Sequence, residues 1–308
     1  MSLTAQEQSI LKTLSHFDVL DYPLTLLEIT KFTESGISTE TILDALTREP
    51  LGRFIEQRQG LYYLKGRKSI VPLRFMRYRL ALLKLRRARR FAALFSYFPW
   101  IRGVAIYSSL SLKNSRDSSD IDLFFITAAG RAWSARFWLN IFLKLFRLRP
   151  TAVDSRNKLC ASYFVDENNL DLSFANTESD YFYAYGCASF DFLAATAGLA
   201  DKFWQANSWI NNILPAWRPT QSSANNKSNS ILKRAQTLKE NMLGLTSDAA
   251  YRGWQMKILP AKYKINNDGK KVVLADGIIK LHDNDKRGEY NRLFAENFNG
   301  IMDYEKQN

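Results

Sequence analysis

Residues 103–127 read GVAIYSSLSLKNSRDSSDIDLFFIT. The pattern is an apolar strand, a serine-bearing turn, a short helical piece and a second strand that opens on two acids, Asp120 and Asp122. Residues two apart on a strand point to the same face. The two carboxylates therefore stand side by side, while Ile121, Leu123 and Phe125 face the other way into a core. Like charges this close repel unless something neutralises them. A divalent cation with oxygen ligands meets that need, because magnesium takes one or two carboxylates plus substrate phosphates. The bland alternative is a strand start with two solvated acids.

The upstream spacing favours the first reading. The stretch resembles the signature of the nucleotidyltransferase superfamily of DNA polymerase beta-like fold: an apolar strand, a Gly-Ser turn, a short helix, then Asp-x-Asp on the next strand. Ser109 falls on the serine of the turn, and Ser119-Asp120-Ile121-Asp122-Leu123 matches the most recognisable part. Two positions depart from the pattern. Ser108 stands where the family has glycine, and Lys113 stands where many members have a second one. Glycine at the first position lets backbone approach a triphosphate closely, and a serine puts a Cβ there.

The resemblance implies an α/β (α+β) core with a mixed sheet and flanking helices. It implies that Asp120 and Asp122 hold Mg2+, with a two-metal site as an option. It also implies that Ser108 and Ser109 grip the phosphates of a nucleoside triphosphate, whose nucleotidyl group passes to an acceptor the sequence leaves unknown. Family members often carry a third carboxylate on the next strand. Residues 159–165, LCASYFV, read as that strand and hold no acid, which leaves Asp171 as a weak candidate.

The chain of 308 residues is 46% apolar and 24% charged, the composition of a globular protein of two or three modest domains. No N-terminal run has the form of a secretory signal, and no run is long and apolar enough to predict a transmembrane segment. Cys160 and Cys187 have no metal-ligand spacing, and free buried thiols are expected, in keeping with the cytoplasm. The net charge of +13 is concentrated. Residues 73–150 hold sixteen basic and three acidic residues, whereas the segments on either side are nearly balanced. Such a field draws anionic ligands: nucleotides, nucleic acids or acidic membrane surfaces.

In residues 1–72, Thr25 and Glu28 have capping-box spacing, a third helix follows Ser38, and a hairpin turns at Gln59-Gly60. Three helices and a hairpin resemble a winged helix-turn-helix domain. Its third helix, which normally enters the major groove, carries Glu40, Asp44 and Glu49. Nucleic acid is therefore the less favoured partner. Residues 73–97 predict a long helix with Leu73, Met76, Leu80 and Leu83 as its buried stripe and the cations outside. A helix from Gly130 to Leu148 predicts Trp133, Phe137, Ile141 and Leu145 on one face. This helix reads as a core element, with an amphipathic membrane-surface helix as the alternative.

Residues 181–200 predict one buried helix, and 219–230 a polar linker. His282, Asp283 and Asp285 read as a surface turn. The expected organisation is a winged-helix-like domain at 1–72, a nucleotidyltransferase core at 73–180 and a helical region at 181–308. Two further readings compete: a catalytically silent nucleotide-binding module, and a nucleic-acid-binding regulator using the wing and the basic helix.

Overall fold

The computed structural model describes residues 3–176, 180–219, 230–282 and 286–307. The chain begins with α1 (Ala5–Asp18), β1 (Leu24–Thr25), α2 (Leu26–Phe32) and α3 (Thr39–Thr47), followed by the hairpin strands β2 (Ile55–Arg58) and β3 (Leu61–Leu64). Thr4 with Glu7 and Thr25 with Glu28 form capping boxes that satisfy the first amides of α1 and α2. The three strands pair antiparallel in the order β1-β3-β2.

The long helix α4 (Ile70–Phe95) leads into β4 (Ile101–Ile106), the short α5 (Ser108–Ser111), β5 (Ile121–Thr127), α6 (Ala132–Leu145) and β6 (Leu159–Asp166). Then come α7 (Tyr181–Ala188), β7 (Asp191–Ala195), α8 (Leu199–Ala206) and α9 (Ile210–Ile213). The last elements are α10 (Ser230–Leu243), α11 (Asp248–Ile258), α12 (Ala261–Ile265), β8 (Val272–Ala275), β9 (Ile278–Leu281) and α13 (Arg287–Gln307).

The fold is α+β. Its central sheet is mixed and six-stranded, in the order β7-β4-β5-β6-β9-β8. Only β5 and β6 run parallel, joined by the crossover through α6, because a parallel pair needs a connection that returns the chain to the same end. Both faces are covered. Val104, Ile121, Leu123, Phe125 and Phe164 pack under α4, α6 and α11, as the strand alternation requires. Ala105, Phe124, Ile126, Tyr163 and Val165 form the other core with α7, α8 and α9, and the apolar residues of α1 and α2 join it.

Several expectations are corrected. Residues 181–200 are not one helix: α7 ends at Ala188 and the chain enters β7, which pairs with β4 at the sheet edge. The segment 181–308, expected to be helical apart from one possible strand in VVLADGIIKL, supplies three of the six strands, two of them a hairpin turning at Asp276-Gly277. Gly277 has φ +76°, and a Cβ there would come within 2.8 Å of Asp166 Oδ2, so the turn requires glycine. Residues 220–229 of the expected linker lie outside the described residues.

The largest correction concerns α4. Met76 and Leu83 of the expected buried stripe are exposed. The buried row is instead Ile70, Arg74, Arg77, Ala81, Lys84, Leu85, Ala88, Ala92 and Phe95. Its cations meet acceptors. Arg74 pairs with Glu28 at 2.9 Å and lies over the Tyr22 ring, and Arg77 reaches Asp21 at 3.2 Å and the Leu20 carbonyl at 3.1 Å. Leucines and cations both recur at helical spacing on α4, and the fixed acceptors decide which row turns inward. On α6 the expected face is also half wrong. Trp133 is buried, but Ile141 and Leu145 are exposed, and the buried row runs through Leu139 and Leu143.

Candidate active site

The site lies where β4 ends and β5 begins. Ile106 pairs with Leu123, so Tyr107 and Ser108 leave β4 beside the start of β5. Ser108 has φ +64° and Lys113 φ +55°. Both occupy the left-handed region that glycine enters without cost. The two positions at which the resemblance leads one to expect glycine thus keep a glycine-like backbone with other side chains. Ser111 donates its hydroxyl to the Ser108 carbonyl at 2.7 Å, and the Asn114 amide donates to the Ser109 carbonyl at 2.8 Å, closing the turn.

Lys84 holds the loop that follows. Its ammonium, 2% exposed, donates to the Arg116 carbonyl at 2.7 Å, to the carbonyls of Asp117 and Ser119, and to Ser119 Oγ at 2.8 Å. This cation from α4 fixes the residues just before Asp120. Helical periodicity alone places it on the solvent face.

Asp120 and Asp122 converge as expected. The parallel register then adds a third group: Cys160 on β6 stands opposite Asp122. One ligand atom each from Asp120, Asp122 and Cys160 lie within 4.8 Å of one another. Burial, then the Asp120 charge, pushes the Asp122 carboxyl up to about 7, against bonds from the Ser108 hydroxyl and the Cys160 thiol. Burial also raises Asp120, opposed by a backbone amide, the thiol and Lys84. Burial and the two carboxylates push the Cys160 thiol far up, so it is protonated at neutral pH.

A cavity of about 320 Å³ opens at Ser108. Tyr107, Tyr163, Phe190 and Tyr183 give it aromatic walls, and Lys280, His282, Lys286 and Arg287 line it with nitrogen. Tyr107 Oη lies 3.3 Å from Ser162 Oγ and 3.3 Å from His282 Nε2. Arg287 is paired with Asp180 at 2.9 Å. A larger groove, about 1100 Å³, lies between the N-terminal unit and α13 and contains none of these residues.

The structure therefore brings Asp120, Asp122 and Ser108 together. Ser109 stands one residue into α5 and does not line the cavity. Asp171 is elsewhere: it is exposed and accepts from the Ser173 amide at 2.8 Å and hydroxyl at 2.9 Å. Sequence reasoning missed Lys84, Cys160, Tyr107 and His282. Cys160 becomes visible only when LCASYFV is aligned in parallel with IDLFFIT. His282 was read as part of a surface turn, and Asp283 and Asp285 lie outside the described residues. Comparison with known proteins adds no assignment, since no family model, curated protein or solved structure matches the chain.

The donor set fits a magnesium ion. Asp120 and Asp122 would supply the anionic oxygens that such an ion takes. The Cys160 thiol is a soft donor that magnesium does not seek.

Proposed function

We propose that this chain is a magnesium-dependent nucleotidyltransferase that moves a nucleotidyl group from a nucleoside triphosphate to an acceptor. One observation carries the reading. Two half-buried carboxylates share one spot at a strand start, with no ion-pair partner among the described residues. Such a pair is costly to keep unless a ligand neutralises it.

Asp120 and Asp122 would hold the metal. Magnesium, when bound, neutralises phosphate charge and orients an in-line displacement. The rest is the work of the chain. The Ser108 hydroxyl bonds the Asp122 carboxyl, and Ser108 also lines the cavity, which neither carboxylate lines; Ser108 would link metal and phosphates. Lys286 lies exposed on the cavity wall, where a cation would offset charge on a leaving pyrophosphate, while Lys280 and Arg287 beside it are engaged by the Lys270 carbonyl and Asp180. Tyr163, Tyr183 and Phe190 offer ring faces to a base. Arg74 and Arg77 are taken up by Glu28 and Asp21, so they are not part of this role. Free Cys160 and Cys187 suit the reduced thiols of a cytoplasmic location.

A second reading, a nucleotide-binding module without turnover, is favoured by Cys160 standing where a third carboxylate would complete the site. A nucleic-acid-binding role for the winged-helix-like unit is the least supported, because α3 exposes Glu40 and Asp44, with exposed Glu49 just after it.

The test is a magnesium-dependent thermal shift against the four nucleoside triphosphates, followed by pyrophosphate release in a single turnover. A metal-dependent rise in melting temperature with release supports transfer. A rise without release assigns the silent module. No shift with any triphosphate overturns both.

A further inference from the structure

We infer that the outer surface of α6, α11 and α12 docks on an anionic lipid surface. The inference stands apart from the nucleotidyl-transfer reading. It begins with the correction to α6. Leu139 and Leu143 face the sheet, while Ile141, Leu145 (73% exposed) and Phe146 face solvent. Beside them α11 exposes Trp254 (54%) and Ile258 (70%), and α12 exposes Ile265 (81%).

The elements adjoin. The Phe137 ring on α6 lies 4.8 Å from the Trp254 ring, and Phe137 of α6 and Tyr263 of α12 pack against the same core. Apolar side chains exposed together mark an interaction surface.

Charge identifies the occupant. Lys144, Arg147, Arg149, Lys257, Lys262 and Lys264 are all exposed around these side chains. Residues 123–153 and 249–267 contain no aspartate or glutamate. Globular surfaces ordinarily intersperse both signs. Apolar residues and tryptophan set among Lys and Arg are the composition of an interfacial contact. The apolar groups enter the acyl boundary and the cations meet anionic headgroups. A second copy of this face would bring like charges together. A nucleic acid would leave Leu145, Ile258 and Ile265 against phosphate with nothing apolar to cover them.

No helix among the described residues is long and apolar enough to cross a membrane, so the contact is at the surface. The Leu159 amide donates to the Leu148 carbonyl at 2.8 Å, just after α6, and Leu159 pairs with Ile121. The C-terminal end of α6 is therefore at the same end of the sheet as Asp120 and Asp122, and docking there holds the carboxylates near the lipid.

Co-sedimentation of the full chain tests this. Vesicles of phosphatidylcholine alone are compared with vesicles that also contain phosphatidylglycerol, at low and high salt. The expected result is binding to the anionic vesicles only, weakened by salt. Leu145→Glu with Ile258→Glu should lower binding by about tenfold or more. Lys144→Glu with Lys257→Glu should lower it too and flatten the salt dependence. All four positions are exposed, and unchanged melting temperatures confirm that the variants are folded. Failure of the wild-type chain to bind anionic vesicles overturns the inference. Binding that the apolar pair of substitutions leaves unchanged also overturns it, because the lipid contact is then not made through this apolar face.

Discussion

Two groups of buried charge lie within one small region, and the protein treats them oppositely. On α4, Arg74, Arg77 and Lys84 point inward and each finds its complement: Glu28, Asp21, or the carbonyls of residues 116–119. At the start of β5, Asp120 and Asp122 point at each other and at a protonated thiol. The nearest buried ammonium, Lys84, spends its hydrogen bonds on the loop. Buried polar groups that serve the fold are satisfied by the fold. Those left out of balance await something the chain does not supply.

Removing a partner from the balanced set should have the largest effect. Lys84→Met leaves three carbonyls and a serine hydroxyl without their shared donor and frees the loop before Asp120. A loss of about 3 kcal/mol is expected in urea unfolding, the upper end of the cost of leaving buried acceptors without a charged donor. A loss under about 1 kcal/mol would mean that water replaces the ammonium and that α4 is no better balanced than β5.

The unbalanced set should respond the other way. The Asp122 carboxyl, at about 7 in the folded chain, lies above its ordinary value, so the native state binds the proton more tightly than the unfolded state. Its contribution is fully present below about pH 4 and is lost as pH rises to about 7. Without metal, stability should therefore fall across that window. Asp122→Asn should remove the slope and gain about 1–3 kcal/mol at pH 8, with little change at pH 4. The same variant should lose magnesium-dependent nucleotide binding. Thermal melting across pH checks the first outcome, and titration calorimetry checks the second.

Cys160→Asp sharpens the contrast by adding a third like charge. The metal-free protein should become less stable at neutral pH, and magnesium should bind roughly tenfold tighter, about 1.4 kcal/mol. If magnesium affinity does not move, position 160 is outside the coordination sphere despite its proximity.

How much of this was legible from sequence differs by element for a physical reason. On β5 the side-chain direction is fixed by a two-residue period, so Asp120 and Asp122 could be paired, and Ile121, Leu123 and Phe125 sent to the core, from spacing alone. On α4 the period admits several rows, and the choice depends on Glu28, Asp21 and the loop at 116–119, which are distant in sequence from the helix. The Thr25–Glu28 capping box and the Gln59-Gly60 turn are local and were readable. Strand β7 was not, because four apolar residues after Asp191, next to a helix, carry no periodicity to distinguish it. Cys160 depended on a strand register that only the folded sheet reveals.

The smallest expected effect is at the turn. From the sequence, Ser108→Gly should cost stability, because glycine gives the unfolded chain more freedom. The backbone reverses that sign. At φ +64° a residue with a Cβ is strained by about 1–2 kcal/mol, which exceeds the roughly 0.5–1 kcal/mol that glycine costs in freedom. Ser108→Gly should therefore gain up to about 1 kcal/mol. Ser108→Ala keeps the Cβ and its strain but removes the hydroxyl that favours ionised Asp122. It should bring no gain at low pH and should move the Asp122 transition above 7, seen as a displaced stability–pH profile. Nucleotide titrations of the same two variants complete the test. Equal weakening in both assigns the hydroxyl a phosphate contact, whereas tighter binding in the glycine variant alone assigns crowding to the Cβ. If neither variant changes binding, the turn does not hold phosphates, and the strain at Ser108 serves only to aim its hydroxyl at the carboxylate pair.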